Sequence, residues 1–285
     1  MATPDLPLRA PGGSPLRAIP PDLDPQIVAS IDRTLDRLTA DENVRIPLAI
    51  ESGSRAWGFP SPDSDYDCRF VYQRPLQDYA SLYPARDVIE TPLDPVFDIG
   101  GWDLAKALKL MVRGNAVIIE WLTSPIIYRA DAGFRDRMLA LAAAIVDRNL
   151  VARHYQHLAL SIRQKAEDGG DGMPIKKLFY ILRPAIALRW LRQRPIDAVA
   201  PMHFPTLCAS TDLNAAERNE IERMLAEKAR TREIGRGAVP PLLVDLIERE
   251  LDLASDWIAP ERMPEDARRR QADAFFWAEV SQTGA

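Results

Sequence analysis

Asp65 and Asp67 stand one residue apart where an apolar strand opens, and a Gly53-Ser54 turn closes the strand before them. On a strand, residues i and i+2 project to the same side, so the two carboxylates point the same way. Side-by-side carboxylates repel unless a cation lies between them, and hard oxygen donors suit Mg²⁺ or Mn²⁺. The Gly-Ser turn offers backbone N–H groups on which an anion can rest. An anion cradle beside paired acids is what metal-assisted phosphoryl or nucleotidyl transfer requires. The competing reading is a solvated turn, because Asp and Ser are common in turns.

Such chemistry uses a third carboxylate as metal ligand and as base toward an acceptor hydroxyl. Glu90 and Asp98 are the candidates, and Asp98 lies inside the apolar run Val96-Phe-Asp-Ile-Gly-Gly101. An inward carboxylate there would be costly unless paired or metal-bound. Ser54 is expected nearest the terminal phosphates of a nucleotide, and Gly53 permits close backbone approach. Arg55 has two open readings, a phosphate partner or a surface loop arginine. Trp57 is read as packing against the loop.

The elements that position these groups follow from periodicity. Ile27, Val28, Ile31, Leu35 and Leu38 recur at helical spacing from Pro25 to about Thr39, after a Pro/Gly/Ala-rich arm over 1–21 read as disordered. Strands are expected at Ile46–Ile50, Tyr66–Tyr72, Val88–Thr91 and Val96–Ile99, with a short helical piece at 76–81. Beyond Trp102 the pattern is almost wholly helical: one helix to the Gly114-Asn115 break, a short one at 117–122, then 131–146, 149–167, 174–192, 214–231, 240–257 and 264–280. An extended Ile-Ile-Tyr follows Pro125, and Gly169–Pro174 reads as a linker. The fold class is α+β: a small mixed sheet with helices on one face, followed by an α-helical C-terminal domain. The expected division is an arm over 1–21, a catalytic domain over 22–130 and a helical domain over 131–285.

In the helix at 174–192, Lys176, Tyr180 and Arg183 share a face, and Pro184 favours a kink. The trio could clamp a triphosphate; a structural surface helix is the other reading. Lys106, Lys109 and Arg113 are read as a solvated face, and Asp103 as favourable at a helix start. His154 and His157 lack a completing ligand, and His203 sits in a Pro-rich turn.

Gly53-Ser54 followed by Asp65-x-Asp67 resembles the signature of the polymerase-beta-like nucleotidyltransferase superfamily. The longer stretches Glu51–Gly58, Ser64–Arg69, Asp98–Leu104, Gly114-Asn115 to Leu122, and Lys176-Lys177 to Pro184 resemble its RNA-ligase-associated (RlaP-like) branch. That resemblance covers roughly residues 45–195 and selects Asp98 over Glu90 as third acid. It also favours the functional reading of Lys176, Tyr180 and Arg183. It implies that Asp65, Asp67 and Asp98 are catalytic and bind two Mg²⁺ or Mn²⁺ ions, and that Gly53, Ser54 and Arg55 bind nucleotide. The implied reaction moves an NMP from an NTP to a hydroxyl, with an RNA end among the candidate acceptors. The alternatives are a nucleotide-sensing or RNA-binding regulator on the same fold, or a protein-modifying (AMPylating) enzyme.

The composition is that of a globular chain: 285 residues, 47% hydrophobic, 27% charged and a net charge of −5. That balance argues against a nucleic-acid coat protein but allows a local basic cleft. Two distant cysteines, Cys68 and Cys208, indicate neither zinc nor a disulfide framework, and Cys68 is read as a buried strand residue. No apolar run reaches the length of about 18 residues that a membrane span needs. With no apolar leader at the N-terminus, the expectation is a cytoplasmic chain with no membrane partner.

Overall fold

Pro25 occupies the first helical position of α1 (Pro25–Asp41), and the Asp24 side chain accepts the Gln26 N–H to cap it. Its stripe of Val28, Ile31 and Leu35 is buried against the sheet, each such side chain contributing about 1.5–3 kcal/mol. The computed structural model describes residues 13–92, 94–167, 175–230, 239–260 and 263–281. After α1 come β1 (Arg45–Glu51), the one-turn α2 (Gly53–Ala56), β2 (Tyr66–Gln73), the short α3 (Leu76–Tyr79), β3 (Val88–Glu90) and β4 (Phe97–Asp103). α4 (Leu104–Val112), α5 (Ala116–Thr123) and β5 (Ile127–Ala130) follow, then α6 (Phe134–Ile145), α7 (Arg148–Glu167) and α8 (Ile175–Gln193). The chain continues through α9 (Phe204–Ala209), α10 (Ala215–Arg230), α11 (Pro241–Trp257) and α12 (Glu265–Ser281).

The strands form one mixed sheet in the order β3-β4-β2-β1-β5, as expected for an α+β chain. β2 and β4 run parallel, and the other neighbours are antiparallel. Alternation divides the sheet cleanly. Ala49, Cys68, Phe70, Tyr72 and Tyr128 face α1, whereas Leu48, Ile50, Val71 and Ile127 join the larger core under α4, α5 and α8. Helices therefore cover both faces, not one, because β2 is apolar on both sides beyond Arg69. That larger core runs on without a break into α11 and α12.

Three further departures have local causes. The arm is docked from Ser14 onward: Ser14 bonds to Asp136, Arg17 pairs with Asp32, and Ala18 bridges Ile127; residues 1–12 lie outside the described residues. β4 continues through Gly100-Gly101 to Asp103, because the Phe70 ring occupies the space that a Cβ at Gly101 would need, 2.2 Å away. α9 carries no helical periodicity in the sequence; its local cue is Pro205 at the second helical position. The expected linker at Gly169–Pro174 falls outside the described residues. Asp103 does cap α4, accepting the Ala105 N–H at 2.7 Å and the Tyr79 hydroxyl at 3.0 Å.

Candidate active site

β1 ends at Glu51, and the chain turns through Ser52 into α2, whose first N–H groups have no partner within the helix itself. The turn is tied to β2 by the Ser52 N–H, which donates to the Asp67 carbonyl at 2.8 Å. Gly53 sits at φ +58°, and a Cβ there would lie 1.8 Å from Asp67 Oδ2. The turn and the carboxylate thus meet with no room for a side chain. Only glycine satisfies both the backbone angle and the contact.

Parallel pairing sets Asp67 directly opposite Asp98 in register. An Asx turn fixes the entry to β4, where Asp94 Oδ1 accepts the N–H groups of Val96 and Phe97 at 2.8 and 3.0 Å. Asp98 does not point into the core. Its side chain is 54% exposed and paired with Arg69 at 2.6 Å. The same Arg69 nitrogen reaches Asp67 Oδ1 at 3.2 Å, so one guanidinium spans the two acids. A further anchor comes from the Asp98 carbonyl, which accepts from Arg69 Nη1 at 2.7 Å. Asp65 lies just before β2 and is exposed, and Glu90 is exposed on β3, paired with Arg86.

Among the described residues no three His, Cys, Asp or Glu side chains converge on one metal position. Asp65, Asp67 and Asp98 are nonetheless all hard oxygen donors, the type that Mg²⁺ or Mn²⁺ takes. The side-chain-free turn at Gly53 fits the same purpose.

Other predicted residues serve the loop. Ser54 Oγ donates to Ser64 Oγ at 3.0 Å, and Ser64 Oγ accepts the Ser61 N–H at 2.9 Å. Arg55 is not held free for phosphate. Its Nε donates to the Asp65 carbonyl at 3.0 Å, its Nη2 donates to the Ser64 carbonyl, and the guanidinium stacks 3.8 Å from the Tyr66 ring. Trp57 packs as expected: Tyr180 meets it edge-on at 5.2 Å, and the Arg183 guanidinium lies 4.3 Å from its ring.

The anticipated clamp divides accordingly. Tyr180 comes close enough to Asp67 and Asp65 for both to add to the burial that raises its pKa. Arg183 is instead 7% exposed and bound to Glu120, which also accepts the Tyr155 hydroxyl at 2.9 Å. The solvent-facing reading fails for Arg183 because α5 presents a carboxylate to it. The side chain of Lys176 lies outside the described residues.

Several residues of the site carried no strong sequence signal. His203, read as uninformative, lies against Gly58, while the Phe204 N–H donates to the Trp57 carbonyl at 2.8 Å. Lys228 of α10 donates to the Phe59 carbonyl across 169 positions of sequence. Glu51 could have been found, as an acid ending an otherwise apolar strand. It is fully buried; its Oε1 accepts the Asp67 N–H at 3.0 Å and its Oε2 accepts the Tyr128 hydroxyl at 2.6 Å. Glu51 therefore braces the backbone of Asp67 from beneath.

Burial pushes the Glu51 carboxyl up to about 8, against the hydrogen bonds from Tyr128 and Asp67, which favour ionisation. An unfolded glutamate ionises near 4.3. Folding therefore takes up a proton between these values. The contribution is complete below the unfolded pKa and is lost as pH rises through the folded one. In EDTA, the unfolding free energy of the wild type is expected to fall from pH 5 to pH 8, relative to Glu51→Gln, by on the order of a few kcal/mol. Parallel pH profiles from chemical denaturation of the two proteins would refute this.

The model of the RNA repair pathway DNA polymerase beta family matches residues 27–278. The chain is also similar to an uncharacterised protein, YcgL of Bacillus subtilis (strain 168), with 36% identity over 220 residues, covering 76% of this chain and 83% of that protein.

Proposed function

This chain belongs to the RNA repair pathway DNA polymerase beta family, and we propose that it moves an NMP from an NTP to an acceptor hydroxyl, with release of pyrophosphate. Polymerase-beta-like nucleotidyltransferases take NTPs and generally use divalent metals. The observation that carries the proposal is the register of Asp67 against Asp98 beside a Gly53 turn with no space for a side chain.

Asp65, Asp67 and Asp98 would hold the metal, taken as two Mg²⁺ or Mn²⁺ ions. When bound, the metal supplies Lewis-acid stabilisation of charge on the phosphoryl oxygens. Gly53 and Ser54 receive the β- and γ-phosphates on the backbone at the start of α2. Asp98 takes the proton from the acceptor hydroxyl as its oxygen forms the new bond to the α-phosphorus. The α–β bridging P–O bond breaks, and the electron pair leaves with pyrophosphate. Arg69 keeps Asp98 beside Asp67, Glu51 holds the Asp67 backbone, and Tyr180 closes the site from α8. In this reading residues 22–130 carry the chemistry, residues 131–285 brace its loop, and an RNA end is the favoured acceptor.

A second reading, a regulator that binds nucleotide without turnover, draws on the Arg69 guanidinium lying across the acid pair. One experiment separates the two. Each NTP, labelled at the α- or the γ-phosphate, is incubated with Mg²⁺ or Mn²⁺ and with tRNA, oligonucleotides or the protein itself as acceptor. Transfer of α-label with pyrophosphate release is expected. Transfer of γ-label alone would replace the proposal with a kinase, and binding with no transfer to any acceptor would favour the regulator. No helix among the described residues is long and apolar enough to cross a membrane.

A further inference from the structure

Lys106, Lys109 and Arg113 were read as one solvated face, but the fold separates them. Lys106 pairs with Asp87 at 3.0 Å. Lys109 and Arg113 instead line a cleft of 690 Å³ between α4 and α12, facing Arg269 and Arg270. Two carboxylates, Glu265 and Asp273, share the lining, and Glu265 is engaged by Arg269 at 2.6 Å. Among the described residues no carboxylate pairs with Lys109, Arg113 or Arg270. Three unpaired cations therefore gather at one cleft on a chain whose net charge is −5.

The floor of the cleft is apolar, with Leu108 and Val112 from α4, and aromatic rings stand at its side. Tyr79 and Phe276 meet edge-on at 4.9 Å, and Trp277 lies 5.9 Å beyond Phe276. Trp277 is 50% exposed, a large apolar ring left in water beside Phe276, which lines the cleft. Inorganic phosphate would use the cations and none of the rings, and an acidic peptide would leave the rings equally idle. Single-stranded nucleic acid uses both, with phosphates on the cations and bases on the aromatic faces. The i, i+4 placement of Lys109 and Arg113 sets them about 6 Å apart, suited to contacts on a continuing backbone.

We propose that the α4–α12 cleft binds single-stranded RNA, with Lys109, Arg113 and Arg270 on its phosphates and Trp277 stacking a base. This deepens the nucleotidyl-transfer reading by giving an RNA acceptor a place outside the reacting centre. The test runs without metal or NTP, so the two fail separately. Fluorescence anisotropy of a labelled single-stranded RNA 12-mer is titrated with the whole chain in EDTA over a salt series.

Lys109→Glu/Arg113→Glu should raise Kd at least tenfold and reduce the salt slope by about one to two. Trp277→Ala should raise Kd at least about fivefold. Arg223→Glu/Arg230→Glu on α10 makes the same change in charge elsewhere and should leave Kd within twofold. Circular dichroism and Tm establish that each variant is folded. Absence of wild-type binding, equal weakening by the α10 pair, or equal competition by AMP or by a polyglutamate peptide of matched charge would overturn the assignment.

Discussion

Replacing Asp65 and Asp67 together by alanine is expected to lower NMP transfer by roughly 10³-fold or more while leaving the unfolding transition within about 1 kcal/mol of wild type. The fold does not depend on either carboxylate for its core. Asp65 is exposed ahead of β2; Asp67 is tied in by its backbone N–H and carbonyl, and the Arg69 that its carboxylate meets at 3.2 Å is held more closely by Asp98, at 2.6 Å. In the proposed reaction both supply negative charge where a cation gathers against the phosphates. Asp98→Asn makes a useful companion, because the amide still accepts from Arg69 but cannot take a proton from the acceptor. Its loss should fall on kcat more than on KM. Full transfer by a well-folded Asp65→Ala/Asp67→Ala protein, measured with α-labelled NTP, would remove these residues from the chemistry.

The second large effect is on stability. Glu120→Ala is expected to destabilise the fold by about 3–5 kcal/mol, because it leaves the Arg183 guanidinium buried without its carboxylate. Arg183 is 7% exposed and Glu120 6%, so water reaches neither readily. The Tyr155 hydroxyl would also lose its acceptor. The damage should reach the site, since Arg183 lies beneath Trp57 and Tyr180 packs against the same ring. Replacing both partners, Glu120→Leu with Arg183→Met, removes the charges together and should restore most of the stability. Urea denaturation of the single and double variants measures this. If the double variant is no more stable than Glu120→Ala, the cost is one of packing and not of an unpaired charge.

Much of the local architecture was legible in the chain because it is written at short range. A short apolar run placed β1, alternation placed β2, helical spacing placed α1 and α4 through α8, and Gly114-Asn115 marked the break between α4 and α5. The Gly53 turn and the Asp65-x-Asp67 spacing were visible for the same reason, although Asp65 stands one residue ahead of β2 and only Asp67 takes its direction from the strand. Glu51 was within reach of the same reasoning, as a carboxylate closing an apolar strand, but its role depends on Tyr128 from a strand far along the chain. Arg69, two residues on from Asp67 along β2, shares its face by the same alternation. Its hold on Asp98 appears only when β4 is laid parallel to β2.

Long-range pairing decided the remainder. Local pattern treats an arginine on a helix as a solvent-facing cation, and nothing near Arg183 in sequence announces Glu120 or Tyr155. The positions of Lys228 and His203 against the Gly58-Phe59 turn likewise have no local cause; they follow from how α9 and α10 return to the sheet. The same holds for Lys109 and Arg113, which are a polar helix face in sequence and one wall of a cleft once α12 packs against α4.

The sequence by itself determined the chemistry on offer: a side-chain-free turn, an Asp-x-Asp at the entry to a strand and a third acid to follow. Backbone geometry over a few residues dictates those features whatever the rest of the chain does. The tertiary structure alone decided which charges meet. A buried or shared charge is settled by the partner that a distant element brings to it, and periodicity carries no information about that partner.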